Sequence, residues 1–137
     1  MNTDLKGEIC EGIAIVKLMK LGYIISKPVN KCKYDLIADD GNRLLRIQVK
    51  KGTVKENFIK FNTSSVNTKT NKSIQYTNEE IDYFLIINLE TETVYVIHVN
   101  ECSKGEQRFR FTKPKNNQQK KILFADNYLL ENYNMQK

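Results

Sequence analysis

Apolar residues recur at helical spacing through the first part of the chain. Cys10, Ala14 and Leu18 are each separated by four positions, which places them on one face of a helix. This pattern predicts a helix over residues 4–21. Gly22 follows it, and glycine is the common residue just beyond a helix C-terminus.

Strand patterns fill the middle of the chain. Asp40 and Gly41 separate two alternating runs and form a hairpin signal, because glycine tolerates the positive φ of a tight turn. Residues 81–88 are almost continuously apolar, which is typical of a strand buried on both faces. The other predicted strands cover residues 23–25, 33–39, 43–50, 58–61 and 94–99.

Two polar segments and a final helix complete the predicted architecture. Residues 62–78 are rich in Asn, Thr, Ser and Lys, which predicts a long surface loop with a functional role. A short helix is predicted at residues 126–133, with Asp126 as its N-cap. The order of helix, strands and helix predicts a single α/β domain over residues 1–137, with a central mixed β-sheet flanked by helices.

Charge and cysteine content narrow the possible partners and compartment. The chain has 22 basic and 16 acidic residues, which gives a net charge of +6. This charge either favours binding to a polyanion such as DNA or serves only to keep the protein soluble. Cys10, Cys32 and Cys102 lie far apart and are odd in number, which predicts reduced thiols in a cytoplasmic protein. No apolar run approaches the roughly 20 residues that a membrane helix needs, so we expect no membrane partner.

Side-chain alternation across the predicted hairpin gathers polar residues on one face. Gln48 and Lys50 lie on the same side of the second strand, since alternate strand residues share a face. A two-residue turn at Asp40 and Gly41 places Asp35 diagonally from Gln48 on that face. A four-residue turn places Asp35 directly opposite Gln48, whereas a three-residue turn moves it to the other face.

These residue types suit phosphodiester hydrolysis with a divalent metal ion. Mg²⁺ prefers oxygen ligands, which the Asp35 carboxylate, the Gln48 amide and the main-chain carbonyl of Val49 supply. Lys50 can orient a water molecule or stabilise negative charge on the phosphate. Glu11, at the edge of the apolar face of the first helix, can add a second carboxylate.

The order of these motifs resembles the PD-(D/E)XK nuclease superfamily. The matching runs are residues 6–11 (KGEICE), 22–23 (GY), 34–36 (YDL) and 48–50 (QVK). The helix run is similar to archaeal Holliday-junction resolvases. Two further runs, residues 61–65 (FNTSS) and 80–84 (EIDYF), are closer to a branch containing group I intron homing endonucleases. Together these matches span about residues 5–100.

The resemblance implies a restriction-endonuclease-like core with Mg²⁺, or Mn²⁺ as a substitute, near Glu11, Asp35 and Gln48. It implies a catalytic role for Lys50. The chain departs from the family pattern at Tyr34, where the family name has proline, and at Gln48, where it has an acid. Glutamine supplies no charge, so metal binding is expected to be weaker, although this glutamine resembles the intron-nuclease branch.

The implied activity is that of a Mg²⁺-dependent DNA endonuclease, expected to cut both strands at a recognised sequence as homing endonucleases do. A homodimer or homotetramer is expected, because two strands need two sites. A Holliday-junction resolvase, a restriction-type endonuclease and a non-catalytic DNA-binding module with the same fold are the alternatives.

Several individual assignments follow from the pattern. Glu8 competes with Glu11 as the helix carboxylate, and His98 is predicted to be a structural strand residue rather than a catalyst. The basic segment 113–121 is either a further phosphate contact or a connector. The predicted DNA contacts are Lys51, Lys55, Lys60, Asn62, Ser64, Ser65, Lys69, Lys72 and Tyr76.

Overall fold

A computed structural model of the chain describes residues 1–112 and 122–135. The basic segment predicted at 113–121, with Lys113, Lys115, Lys120 and Lys121, lies outside the described residues. The elements are α1 (Thr3–Lys20), β1 (Ile24–Ser26), β2 (Leu36–Asp39), β3 (Leu44–Lys51), β4 (Thr53–Val54), β5 (Phe58–Asn62), β6 (Ser64–Asn67), β7 (Lys72–Gln75), β8 (Tyr83–Asn88), β9 (Thr93–His98) and β10 (Glu106–Arg110), with 3-10 turns at Val99–Glu101 and Ala125–Tyr128.

The predicted central mixed sheet is confirmed. Its five strands lie in the order β1-β2-β3-β8-β9. Strands β3 and β8 are parallel, while the other neighbours are antiparallel. Every residue of β8 is buried, as its continuous apolar sequence predicts for a strand covered on both faces.

Helix α1 covers one face of this sheet. It begins where the side chain of Asn2 accepts a hydrogen bond from the backbone of Leu5, which satisfies an otherwise unpaired amide of the first turn. The predicted stripe of Cys10, Ala14 and Leu18 is buried against apolar residues of β2, β3, β8 and β9. No helix in residues 1–112 and 122–135 has the length and apolar content to cross a membrane.

A second sheet, rather than another helix, covers much of the opposite face. Its three strands lie in the order β10-β5-β4, and Ile59, Phe61 and Phe109 pack against Phe84 and Ile86 of the central sheet. Alternate side chains of β8 are therefore buried in two different apolar layers, one on each face of the central sheet. Helix α1 faces one layer and the small sheet faces the other.

The prediction of a helix at residues 126–133 is wrong. The structure has a 3-10 turn over Ala125–Tyr128, which begins at Phe124 without a side-chain cap, so Asp126 is not an N-cap. The chain then runs beside β9, where Leu129 bridges to Tyr95 and the amide of Leu130 donates to the carbonyl of Val94 at 3.0 Å. Pairing with a strand outweighs the weak helical preference of this short segment.

The prediction that residues 62–78 form a long loop without secondary structure is also wrong. It contains the two-stranded hairpin β6–β7, with Ser64 paired to Gln75 and Asn67 paired to Lys72. Asn71 adopts a φ of 54° at its turn, a conformation that asparagine tolerates better than most residues. The sequence did not predict this hairpin, because neither strand has the alternating apolar residues that indicate a half-buried strand.

Gly52 provides a stability prediction for the junction of the two sheets. A Cβ at this position would lie 2.4 Å from Ile59 Cδ1 and 3.0 Å from Ile86 Cγ2. We therefore expect Gly52→Ala to lower the free energy of unfolding by about 1–3 kcal/mol, as overpacked cores do. Urea denaturation measures this change, with Gly7→Ala as the control, because nothing lies within 4 Å of a Cβ at Gly7 on α1. An unchanged midpoint for Gly52→Ala would contradict the close packing.

Candidate active site

The β2–β3 turn sets the register of the site. Asp39 pairs with Leu44, so residues 40–43 form a four-residue turn. The alternative of a two-residue turn at Asp40 and Gly41 is therefore wrong. Asp40 Oδ1 accepts the backbone amides of Asn42 at 2.8 Å and Arg43 at 2.6 Å, and these bonds close the longer turn. The register therefore matches the four-residue alternative, which puts Asp35 level with Gln48.

Asp35 lies where β2 and β3 begin to separate. Its amide donates to the carbonyl of Ile47 at 2.8 Å, which is the last main-chain bond between the two strands on this side. Its Oδ2 accepts the amide of Val49 at 2.9 Å. The side chain thus takes the place of a strand partner, and this bond fixes the carboxylate against β3.

The Asp35 carboxylate lies in an unfavourable environment for its charge. Burial raises its pKa, and the nearby charge of Glu11 raises it too. The hydrogen bond from Val49 and the ammonium groups of Lys50 and Lys27 oppose this shift. Two carboxylates that repel one another in a partly dry site favour the binding of a cation.

Glu11, rather than Glu8, is the helix carboxylate whose charge reaches Asp35. Glu11 contributes to the electrostatic environment of Asp35. Its Oε1 also lies 3.1 Å from Nζ of Lys27, in a pair whose side chains are 28% and 61% exposed. A pair with so exposed a lysine is weak, so a metal ion can displace that ammonium group at little cost. No spacing along the chain links Lys27 to Glu11, so the sequence did not predict this pair.

Lys50 is largely buried beside Asp35. Burial lowers the pKa of its ammonium group, against the attraction of the Asp35 carboxylate. Its Nζ donates to the main-chain carbonyl of Ser64 at 3.4 Å and lies 5.1 Å from the ring centre of Tyr76. The positive charge is therefore held next to the carboxylate instead of extending into solvent.

An open cleft of about 380 Å³ lies over Asp35 and Gln48. The segment before β2 forms one wall with two lysines, and the β6–β7 hairpin forms the other. A basic wall beside a carboxylate suits a phosphate chain that approaches a metal ion. The lining residues are Lys31, Cys32, Lys33, Asp35, Gln48, Ser65, Val66 and Tyr76.

The predicted DNA-contact residues do not all converge on this cleft. Ser65 and Tyr76 line it, and the carbonyl of Ser64 contacts Lys50. Lys51 lines a separate pocket, and Lys60 pairs with Glu106 at 3.6 Å on the small sheet. The other predicted contacts, all exposed, are Lys55, Asn62, Lys69 and Lys72.

Two further polar residues have structural surroundings. His98 Nδ1 accepts the amide of Asn100 at 3.0 Å, as expected for a structural histidine. Asp82 Oδ2 accepts the amide of Arg46 at 2.7 Å and its Nε at 3.2 Å, which ties the start of β8 to β3. The sequence did not predict the bonds between Arg46 and Asp82, because the two residues are distant along the chain.

The donor types in and beside the cleft suit a hard divalent cation. Glu11 and Asp35 offer carboxylate oxygens, Gln48 offers an amide oxygen, and Val49 offers a main-chain carbonyl. No described residue donates a hydrogen bond to Asp35 Oδ1, which leaves that oxygen available. No cluster of three Asp, Glu, His or Cys side chains with metal-binding geometry occurs in the described part of the chain, so Gln48 would have to complete the side-chain ligands.

The fold, a mixed sheet with one helix on a face, a carboxylate just before β2 and a lysine on β3, is that of the restriction-endonuclease-like nucleases. The sequence matches the PD-(D/E)XK endonuclease family over residues 1–131, and the chain belongs to this family. Members of this family generally use divalent metals.

The structure is similar to that of the bacterial homing endonuclease I-Ssp6803I. The sequences are 26% identical, and the TM-score is 0.75. The match covers 94% of this chain and 89% of the other. No curated protein sequence matches this chain.

Proposed function

We propose that this nuclease is a Mg²⁺-dependent DNA endonuclease that recognises a duplex sequence and cuts both strands. The observation that carries the proposal is that Asp35 and Gln48 line one cleft, while the charges of Lys50 and Glu11 lie close enough to affect the Asp35 carboxylate. Carboxylates and an ammonium group at one site supply the metal ligands and the positive charge that phosphodiester hydrolysis requires.

Each residue has a separate part in this reaction. Glu11, Asp35, Gln48 and the carbonyl of Val49 would hold Mg²⁺, which supplies charge to the phosphate and makes water more acidic when bound. The Lys50 ammonium group donates to a phosphate oxygen or to the attacking water. Because Asp35 is anchored by the Val49 amide, its carboxylate keeps its orientation while DNA binds.

The β6–β7 hairpin is the proposed element for DNA recognition. A two-stranded ribbon can enter the major groove, which is about 12 Å wide in B-DNA. Its side chains include Ser65, Asn67 and Lys72, which offer donors and acceptors for bases and charge for phosphates. The likeness to a bacterial homing endonuclease supports sequence recognition over recognition of DNA shape.

Cutting both strands requires two sites, so we propose that the chain acts as a homodimer or homotetramer. Sedimentation velocity with and without a cleavable duplex tests this. A dimer or larger assembly is the expected result, whereas a monomer at the concentrations that cut both strands would contradict it.

The activity is tested with three substrates in parallel. The protein is incubated with Mg²⁺ or Mn²⁺ and a random duplex library, a single unrelated duplex, or a synthetic four-way junction. Cut ends that share a sequence motif are expected, and EDTA should prevent them. Nicking of the junction alone would indicate a resolvase instead. DNA binding without any cleavage would indicate a binding module and overturn the proposal.

Substitution of Gln48 by glutamate is expected to raise the affinity of the site for Mg²⁺. Gln48→Glu adds a negative charge to the proposed ligands, and one charge pair at 4 Å contributes about 1 kcal/mol even in water. For a divalent ion we therefore expect at least a roughly tenfold lower Mg²⁺ concentration at half-maximal cleavage rate. A Mg²⁺ titration of the cleavage rate measures it, with Gln48→Met, which removes the oxygen ligand, as the opposite control. Equal Mg²⁺ requirements in all three proteins would exclude Gln48 as a ligand.

A further inference from the structure

The base of the β6–β7 hairpin is fastened to the body of the protein. Thr63, which is fully buried, donates from Oγ1 to the carbonyl of Ser103 at 2.9 Å. Gln75 Nε2 donates to the carbonyl of Thr63 at 2.8 Å, and Gln75 Oε1 accepts the amide of Gly105 at 2.9 Å. These bonds hold the residue before the hairpin and the last residue of the hairpin in fixed positions.

Both ends of this fastened hairpin contact the amine of Lys50. On the first strand, the Ser64 carbonyl accepts from Lys50 Nζ at 3.4 Å. Directly after the second strand, the ring centre of Tyr76 lies 5.1 Å from the same nitrogen. The Tyr76 amide also donates to the carbonyl of Thr63 at 3.2 Å, so ring and carbonyl belong to one hydrogen-bonded unit.

The Tyr76 ring is poorly placed to contact DNA itself. Its residue is only 8% exposed, and its ring packs edge-on against Phe84, with ring centres 5.5 Å apart. Lys33 Nζ lies 6.0 Å from the ring centre, at the outer limit of a cation–π contact. The Lys50 contact is the shorter of the two, and it involves the proposed active site.

We propose that Tyr76 is a positioning residue that holds the amine of Lys50 in place for DNA cleavage, so that the recognition hairpin also orders the catalytic lysine. This inference rests on the proposed function, because it assigns Lys50 to cleavage. A lysine side chain is flexible, and its ordering costs conformational entropy. A rigid ring and a fixed carbonyl supply part of that ordering before DNA binds.

Three variants separate this role from ordinary packing. Tyr76→Phe keeps the ring, Tyr76→Leu removes it, and Phe61→Leu removes a ring that packs on the same Phe84 at 5.4 Å. We expect Tyr76→Leu to lower the single-turnover cleavage rate about tenfold, the effect of losing one moderately strong cation–π contact, while its DNA affinity stays unchanged. Tyr76→Phe and Phe61→Leu should cleave at the wild-type rate, although Phe61→Leu should melt at a lower temperature.

A second measurement needs no activity. In NMR spectra of protein with isotope-labelled lysine, the ε-methylene signal of Lys50 is identified by its absence in Lys50→Met. This signal should be shifted by the aromatic ring in the wild type and in Tyr76→Phe, and should move to the common lysine position in Tyr76→Leu. An unmoved signal in Tyr76→Leu overturns the proposal, as does an equal rate loss in Phe61→Leu or an undiminished rate in Tyr76→Leu. Absence of cleavage by the wild type would instead contradict the proposed function.

Discussion

Asp35→Asn is expected to lower the rate of DNA cleavage severely and, at neutral pH, to make the metal-free protein more stable. The amide keeps an oxygen that can accept the Val49 hydrogen bond, now 2.9 Å long, so the local structure should persist. The charge that would hold the metal ion is lost. Since a metal ion contributes several kcal/mol to the transition state, the cleavage rate should fall on the order of a thousandfold.

The gain in stability follows from the direction of the Asp35 pKa shift. Burial raises the pKa of this carboxyl in the folded state, and Glu11 adds to the effect. The folded protein therefore binds the Asp35 proton more tightly than the unfolded chain does. The contribution of this carboxyl to stability is fully present below its ordinary pKa and is lost as pH rises through the elevated folded value. Asparagine carries no charge and escapes this loss.

Melting temperatures in EDTA between pH 3 and pH 8 measure this effect. Asp35→Asn should melt above the wild type at pH 7, and the difference should shrink as the pH falls toward 3. DNA affinity in Ca²⁺ provides the control for an intact binding surface. A variant that cleaves DNA at the wild-type rate, or that melts below the wild type at pH 7, would contradict the role and environment assigned to Asp35.

Lys50→Met is expected to lower the cleavage rate about a hundredfold to a thousandfold, the usual effect of removing a group that stabilises charge in the transition state. Methionine has a similar apolar stem and removes only the ammonium group. DNA affinity should change little, because the amine faces Asp35 and the Ser64 carbonyl within the site.

Stability provides a second measurement for Lys50→Met. Burial lowers the pKa of the Lys50 amine, so the folded state holds this proton less tightly than the unfolded chain. At neutral pH the charged amine therefore reduces stability, and an uncharged side chain should raise the melting temperature. Lys17→Met is the matched control, since Lys17 is exposed on α1 and carries the same charge. Loss of cleavage in Lys17→Met, or its retention in Lys50→Met, would refute the assignment.

Local patterns in the sequence predicted the elements that bury an apolar face. The stripe of Cys10, Ala14 and Leu18 indicated α1, and the continuous apolar run at 81–88 indicated the strand buried on both sides. Alternation along β3 correctly put Gln48 and Lys50 on one face. Burial of apolar area drives these elements, and its periodicity is written along the chain.

Elements without an apolar period were mispredicted. The β6–β7 hairpin lacks a buried face of its own, and its base is held by Thr63 and Gln75 through bonds to residues 103–105. The segment after Ala125 forms a 3-10 turn and then pairs with β9 at Leu129 and Leu130, instead of forming a helix. In both places the stabilising partner is distant in sequence, so no local spacing reports it.

From the sequence alone, the class of nuclease, the helix, the mixed sheet and the face shared by Gln48 and Lys50 were accessible, because short-range periodicity and motif order carry them. Tertiary structure decided which turn length aligned Asp35, and that the charge of Glu11 instead of Glu8 reaches it. It also placed Lys27 beside Glu11 and the Tyr76 ring beside Lys50. Those features depend on how separate elements pack in space. Charges and rings that meet across such packing leave no mark in the spacing of residues along one strand.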